Sequence, residues 1–151
     1  MSVTIQLIPI PATAPPALAD GVVVPEIAHE VCRATRDLYG RVGCVPPFTG
    51  YLAIESERCV GTCGYAAPPR EGVVEIAYFT FPEYEGQGVA TRMAASLIAI
   101  AQRADPGLRI IAHTLAERNA SQRILEKLGF RDVGLIDHPE DGTVRLWRLE
   151  G

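Results

Sequence analysis

The sequence has no long hydrophobic run and no excess of basic residues, and each absence removes a class of protein. No stretch reaches the roughly 20 consecutive apolar residues that a membrane-spanning helix needs. The net charge is −4, whereas a general nucleic-acid binder is usually basic. We therefore expect neither a membrane nor a nucleic acid as a partner.

Signals for export and for metal binding are also missing. Residues 1–16 lack the basic start and long apolar core of a secretory signal, which predicts a cytoplasmic protein. The cysteines, Cys32, Cys44, Cys59 and Cys63, form no C-x-x-C pair, and a zinc site would need better-spaced partners. We expect buried, reduced thiols and no bound metal. Because Cys59 and Cys63 share parity on a predicted strand, both should point to one face.

What is present is enough for a folded core. The chain has 151 residues, of which 48% are hydrophobic and 21% charged, values typical of a globular domain. Neither an internal repeat nor a low-complexity segment interrupts it. We expect a single domain spanning residues 1–151.

Hydrophobic periodicity and turn residues divide the chain into strands and helices. Strands are predicted at 3–10, 49–57, 58–67, 73–81, 108–115, 131–138 and 143–150, and helices at 25–43, 88–104 and 121–130. This order predicts an α/β protein whose mixed sheet carries helices on its faces. The run at 73–81 is unbroken and β-prone, which is typical of a strand covered on both faces.

A glycine-rich turn, "EGQGVAT" at 85–91, joins that strand to the helix 88–104. The first N–H groups of a helix have no internal partner, and the positive end of the helix dipole lies behind them. Gly86 and Gly88 would let an anion approach closely, so the turn is suited to hold a pyrophosphate. It is neither a P-loop nor a complete dinucleotide fingerprint. A plain packing turn would also use glycines.

Two segments together resemble one family. The stretch "VEIAYFTFPEYEGQGVATRM" (74–93) resembles motif A of the GNAT family of N-acetyltransferases, and "ERNASQRILEKLGF" (117–130) resembles its motif B. The wording is most similar to the ribosomal-protein N-terminal acetyltransferase type. The resemblance implies the GNAT fold, a mostly antiparallel sheet of about seven strands that splays at the cofactor site. It also implies an acetyl-CoA-dependent N-acetyltransferase in which a primary amine attacks directly within a ternary complex.

The resemblance assigns the acetyl-CoA site. In such a family the pantetheine arm would pair with the strand end and the pyrophosphate with the turn, while motif B adds further contacts. The assigned residues are Tyr78, Phe79 and Thr80; Gly86, Gln87, Gly88, Val89, Ala90 and Thr91; and Asn119, Ser121 and Lys127. Glu85 departs from the pattern, because the family often has Arg or Gln there. Arg118 occupies the slot where motif B usually has its asparagine.

Three residues are candidates for the chemistry. Glu75 interrupts an otherwise apolar strand, and it lies where many family members place the general base. His113, on the strand that enters motif B, is the other candidate base. Ser121 matches a serine that the ribosomal-protein type uses near the sulfur, although it could equally cap the helix. The tyrosine acid that many relatives carry in motif B is absent, since Leu125 stands there.

The sequence says less about the amine that accepts the acetyl group than about the cofactor site. The resemblance places the acceptor cleft between the first helix, the loop 44–51 and the final hairpin with Trp147, where Tyr39, Phe48 and Tyr51 are either lining or core. The expected partner is an amine, either a protein N-terminus or a small molecule, and the protein is expected to be a monomer or a homodimer. Because of Glu85 and the missing tyrosine, the alternative function is an inactive CoA-binding sensor.

Overall fold

The computed structural model describes residues 4–117 and 119–150, so Arg118 lies outside the described residues. The strands are β1 (Gln6–Pro9), β2 (Gly50–Glu55), β3 (Arg58–Tyr65), β4 (Val73–Thr80), β5 (Arg109–Leu115), β6 (Phe130–His138) and β7 (Gly142–Leu149). The α-helices are α1 (Glu26–Val42), α2 (Val89–Ala104) and α3 (Ala120–Lys127), and a short 3₁₀ helix covers Pro82–Tyr84. The predicted order of strands and α-helices is confirmed, and the 3₁₀ turn was not foreseen.

The strands form one sheet of seven strands in the order β1-β2-β3-β4-β5-β7-β6. All neighbours are antiparallel except β4 and β5, which are parallel. The crossover from β4 to β5 is made by α2, as a parallel connection requires. The predicted mixed, mostly antiparallel sheet is therefore confirmed.

The sheet opens in its middle. β4 pairs with β5 only from Val73 to Glu75, opposite residues 109–111. From Ile76 to Thr80, β4 pairs only with β3. Beyond Glu75 the strands β4 and β5 therefore part, and the second half of β4 has one unpaired edge.

Two apolar clusters, one on each face, hold the sheet. The larger lies under α2 and α3, where Met93, Ala94 and Leu97 have no exposed surface. The smaller packs α1 against β2 and β3 through residues such as Cys32, Leu52 and Cys59. These contacts fix α2, and hence the turn before it, against the central strands.

The expectation that β4 is covered on both faces is wrong. Val74 and Ile76 are each 2% exposed under α2, but Ala77 and Phe79 on the opposite face are exposed. The reason is that a cleft, rather than a helix, lies between α1 and this part of β4. The apolar run thus belongs to a strand that is enclosed on one face and borders an open cleft on the other.

The cysteines are free, and Cys32, Cys59 and Cys63 are buried as expected, whereas the expected burial is wrong for Cys44, which is half-buried. The expectation that Cys59 and Cys63 share a face is wrong. A β-bulge shifts the register, so that Ala53 lies opposite Gly61 while Ile54 lies opposite Cys59. One extra residue reverses the side-chain alternation. Cys59 therefore joins the cluster under α1, and Cys63 joins the cluster under α2.

Candidate active site

The glycine turn leaves the sheet through the 3₁₀ helix and enters α2 at Val89. Gly86 and Gly88 have φ angles of 77° and 78°, in the left-handed region that favours glycine. Gly88 is the N-cap of α2 and supplies no side-chain cap. The helix therefore begins with its N–H groups uncovered.

These N–H groups are available to a ligand. Within the described ranges, none of the amides of residues 86–91 donates a hydrogen bond to the protein. The first amide after the turn that does so is Arg92 N, which donates to Gly88 O at 3.1 Å. Unpaired amides at the positive end of a helix dipole are the usual way that proteins bind phosphate.

A cleft of about 690 Å³ opens between this turn, the end of β4 and α3. Its lining consists of Tyr78, Phe79, Thr80, Tyr84, Glu85, Gly86, Gly88, Val89, Ala90, Thr91, Ala120, Ser121, Arg123 and Ile124. The hydroxyl of Thr80 is buried and has no hydrogen-bond partner. A buried polar group without a partner is costly, so its place in the cleft wall indicates that a ligand completes it.

The main chain of β4 faces the same gap. Phe81 N donates to Val60 O, and Glu75 O accepts from Ala66 N, so the odd-numbered residues of β4 bond toward β3. Because the direction alternates along an antiparallel pair, the main-chain groups of Tyr78 and Thr80 face away from β3. β5 has already parted from β4 at that level. The gap therefore offers both N–H and C=O groups to a ligand.

The side chain of Tyr78 lies beside Ser121, which sequence reasoning missed. Burial raises the pKa of Tyr78 to about 12, and a hydrogen bond with Ser121 partly opposes this. The phenol therefore keeps its proton at any physiological pH. Parity with Val74 and Ile76 could have predicted that Tyr78 points to the α3 face. The site thus has a tyrosine although Leu125 replaces the one in motif B.

Glu75 and His113 meet on the opposite face of the sheet. Glu75 Oε2 lies 3.0 Å from His113 Nδ1, and the side chains are 27% and 14% exposed. The contact has ion-pair distance but lacks the alignment of a hydrogen bond. Because β4 and β5 are parallel and paired up to Glu75 and Ile111, the two side chains lie at the point where the strands part.

His138, at the end of β6, stacks edge-on against His113 with ring centroids 5.4 Å apart. Its Nδ1 accepts hydrogen bonds from the amides of Glu140 and Asp141, at 3.1 and 3.2 Å. These bonds fix the orientation of the His138 ring. The hairpin β6–β7 thereby limits the movement of His113.

Three of the assigned cofactor residues lie outside the lining of the cleft. Gln87 turns its carbonyl to the side chain of Arg92. Asn119 is the N-cap of α3, and its Oδ1 accepts from Gln122 N at 3.3 Å. Lys127 is exposed at the last turn of α3. Asn119 is thus the N-cap of α3. The alternative role considered for Ser121, capping this helix, is therefore wrong.

A second cleft, of about 230 Å³, lies between α1 and the open face of β4. It meets the first cleft at Tyr78 and Phe79, which line both. Its other lining residues are Val31, Thr35, Leu38, Gly50, Thr62, Cys63, Gly64, Tyr65, Ala66 and Ala77. No Asp, Glu, Lys, Arg or His is among them.

The aromatic residues considered for the acceptor cleft belong to the core instead. Tyr39 donates to Ile10 O and accepts from Gly50 N, both at 2.8 Å. Phe48 packs edge-on against a core tyrosine, and Tyr51 is buried. The expectation that Trp147 helps to build the acceptor cleft is wrong, because its indole is 2% exposed and donates to Thr114.

The described part of the chain holds no cluster of three or more His, Cys, Asp or Glu side chains arranged for a metal ion. Among the helices of residues 4–117 and 119–150, none combines the length and hydrophobicity required to cross a bilayer.

Comparison with known proteins identifies the family. The sequence model of the acetyltransferase (GNAT) domain matches residues 26–131, most of the chain. The chain belongs to the GNAT acetyltransferase family. The resemblance that motifs A and B carried is confirmed, as are the predicted fold and the prediction that the protein is an acetyltransferase.

Solved structures share the fold at low sequence identity. A RimL ribosomal L7/L12 alpha-N-protein acetyltransferase has a TM-score of 0.69 and 17% identity, covering 97% of this chain and 93% of that one. The same enzyme in complex with coenzyme A has a TM-score of 0.63 and 17% identity, over 82% and 71% of the two chains. A putative GNAT-family acetyltransferase from Bordetella pertussis has a TM-score of 0.60 and 20% identity, covering 82% of this chain and 75% of that one. The search of curated proteins found no match.

Proposed function

We propose that the chain forms one acetyltransferase domain, residues 1–151, that transfers the acetyl group of acetyl-CoA to a primary amine by direct attack. The observation that carries this is the gap in the sheet. Unpaired main-chain donors line it, with hydroxyl groups on one face and the Glu75–His113 pair on the other. Solved neighbours in complex with coenzyme A support the choice of acyl donor.

The donor would be held mainly by main chain. Amides of residues 86–91 bind the pyrophosphate, and the main chain of Tyr78 and Thr80 pairs with the pantetheine arm, while the Thr80 hydroxyl gains a partner. Arg123 in the cleft wall adds a positive charge. Acetyl-CoA supplies an activated thioester. Main-chain N–H groups at the gap lie where negative charge develops on the acetyl oxygen.

The two faces of the gap divide the proton transfers. Glu75 accepts a proton from the attacking amine, with His113 holding the carboxylate in place. A free amine is mostly protonated at neutral pH and cannot attack in that form, so the reaction needs a group that accepts its proton. On the other face, the Tyr78 hydroxyl donates a hydrogen bond to the departing sulfur, while the Ser121 hydroxyl donates to the Tyr78 oxygen and orients it. With a pKa of about 12, Tyr78 acts as a hydrogen-bond donor and not as a source of a free proton.

The second cleft suits the acceptor. It meets the donor cleft at Tyr78 and Phe79, and it lacks charged side chains. A polycationic amine would need carboxylates to replace its hydration, whereas an N-terminus with a small uncharged side chain would not. Among the neighbours, one acts on a ribosomal protein N-terminus and another on aminoglycosides. The uncharged lining favours a peptide N-terminus.

The test is thiol release from acetyl-CoA with a panel of amines. It should include short peptides that begin with Ser or Ala, the same peptides with a blocked N-terminus, spermidine and an aminoglycoside. We expect turnover with the free peptide N-termini and not with the blocked peptides. If the protein binds CoA but no amine causes thiol release up to pH 9, the proposed acetyltransferase activity is overturned and the inactive CoA-binding sensor is favoured.

A further inference from the structure

We propose that the ion pair between Glu55 and Arg92 is a brace that fixes the glycine turn 85–91 to the sheet and thereby sets the affinity for acetyl-CoA. The inference rests on the proposed cofactor site. It assigns to Glu55, a residue outside both clefts, a positioning role in that site.

The pair joins two distant elements with good geometry. Arg92 Nε lies 2.5 Å from Glu55 Oε2, and Nη2 lies 2.9 Å from Oε1. Glu55 is the last residue of β2, and Arg92 is in the first turn of α2. The Glu55 side chain is only 8% exposed. A two-pronged, largely buried contact holds both partners in a single arrangement.

The same guanidinium also holds the turn itself. Arg92 Nη2 donates to the carbonyl of Gln87 at 3.0 Å. A Cβ built on Gly88 would lie 2.7 Å from Arg92 Nη1, so the guanidinium lies directly against the turn. The chain of contacts therefore runs from the end of β2, through Arg92, to the residues that carry the free amides.

This arrangement decides between two roles for Arg92. As a cation beside the turn, Arg92 could either balance phosphate charge or hold the turn in place. In the structure its charge is matched by Glu55, and the hydrogen bonds that it donates to the Glu55 carboxylate raise the pKa of Arg92. Arg92 is also absent from the cleft lining. It is thus a positioning residue and not a phosphate ligand.

A brace is needed because the turn has little stiffness of its own. Gly86 and Gly88 give it main-chain freedom, and Gly88 supplies no side-chain cap to α2. Without the ion pair, part of the binding free energy would be lost in ordering these residues. The ion pair orders them before the ligand binds.

The experiment compares Glu55→Gln with Glu57→Gln. Both variants lose one negative charge near the β2–β3 turn, but the Glu57 side chain is exposed and takes no part in the ion pair. The dissociation constant of CoA is measured by calorimetry at one salt concentration. We expect it to rise about tenfold in Glu55→Gln, equivalent to about 1.4 kcal/mol, and by less than about twofold in Glu57→Gln.

A second readout separates positioning from a general loss of structure. S-acetylpantetheine carries the thioester but no pyrophosphate, so it does not use the turn. The loss of kcat/KM in Glu55→Gln should be about ten times larger with acetyl-CoA than with S-acetylpantetheine. Arg92→Gln should show the same selective loss, because it removes the other half of the brace.

The alternative outcomes are distinct. Equal losses with both donors would mean that Glu55 only stabilises the fold, and this would overturn the brace. Tighter CoA binding by Glu55→Gln would mean that a released Arg92 binds phosphate, which would also overturn it. If the unmodified protein does not bind CoA at all, the proposed function fails instead.

Discussion

The two halves of β4 present different parts of the chain to the site. Val73–Glu75 is paired with β5, and it contributes a side chain, Glu75, which meets His113. Ile76–Thr80 is paired with β3 only, and it contributes its unpaired main-chain groups to the gap. In the proposed mechanism, one strand thus supplies the acid–base pair where it is paired with β5 and the cofactor contacts where it is not.

The contrast explains which departures from the family pattern the site tolerates. In the proposed site, donor recognition by amides does not depend on the side chains at those positions, so Glu85 can stand in the turn without removing the unpaired amides. In the proposed mechanism, proton transfer depends on one carboxylate, Glu75, and its neighbour, His113. Substitutions near Glu75 should therefore change kcat, and substitutions in the turn should change the KM for acetyl-CoA.

The largest effect is expected for Glu75→Gln. The amide keeps the shape of the side chain but cannot accept a proton, so kcat should fall by about 10²- to 10³-fold. The KM for acetyl-CoA should change little, because that site is built from main chain. Steady-state kinetics with a peptide acceptor measures both.

Glu71→Gln is the matched control, since it removes an exposed carboxylate from the loop before β4. It should behave like the unmodified protein. If Glu75→Gln keeps more than half of kcat, the half of β4 that pairs with β5 does not supply the acid–base site.

Gly88→Ala should have the next largest effect, on the other half of the comparison. Alanine is strained at a φ of 78°, and its Cβ would contact the Arg92 side chain. We expect a roughly tenfold higher KM for acetyl-CoA with little change in kcat, and about 1 kcal/mol less stability to unfolding. Kinetics and urea denaturation report the two quantities.

Gly107→Ala provides the control, because its φ lies outside the left-handed region and its Cβ meets only an ordinary contact at 3.4 Å. An unchanged KM in Gly88→Ala would contradict a phosphate site at the turn.

Tyr78→Phe should lower kcat about five- to tenfold, by removing one hydrogen bond to the departing sulfur. Burial raises the pKa of Tyr78 to about 12, so the phenol is protonated below that pH and ionises only as the pH rises through it. The ratio of kcat for the unmodified protein to kcat for Tyr78→Phe should therefore stay constant from pH 7 to about 10. A ratio that falls steadily across pH 8–9 would show that the hydroxyl titrates there and would contradict its environment.

The smallest effect is expected for Glu85→Gln. Its exposed carboxylate lines the donor cleft, and removing a like charge near a pyrophosphate should lower the KM for acetyl-CoA about twofold. The gain should shrink in 0.5 M salt, because screening weakens exposed charges. Glu83→Gln, in the 3₁₀ helix beyond the cleft lining, should show no gain. Weaker binding of acetyl-CoA by Glu85→Gln would mean that Glu85 supports the turn.

The sequence predicted much of this arrangement. Periodicity placed every strand and α-helix in the right order, and the glycines at 86 and 88 marked the turn. What it could not show depends on tertiary pairing. The bulge that separates Cys59 from Cys63, the point at which β4 leaves β5, and the contact of Glu55 with Arg92 involve residues far apart in sequence. The position of Tyr78 beside Ser121, by contrast, could have been predicted from the alternation of side chains along β4.

The most direct test of the central claim is amide mapping by NMR during titration with CoA. If unpaired main-chain donors bind the cofactor, the largest shifts should fall on the amides of residues 86–91, with Tyr78 and Thr80 also affected. Pantetheine alone should shift Tyr78 and Thr80 but leave the turn unchanged. CoA binding that leaves the amides of 86–91 unshifted would contradict the proposed site.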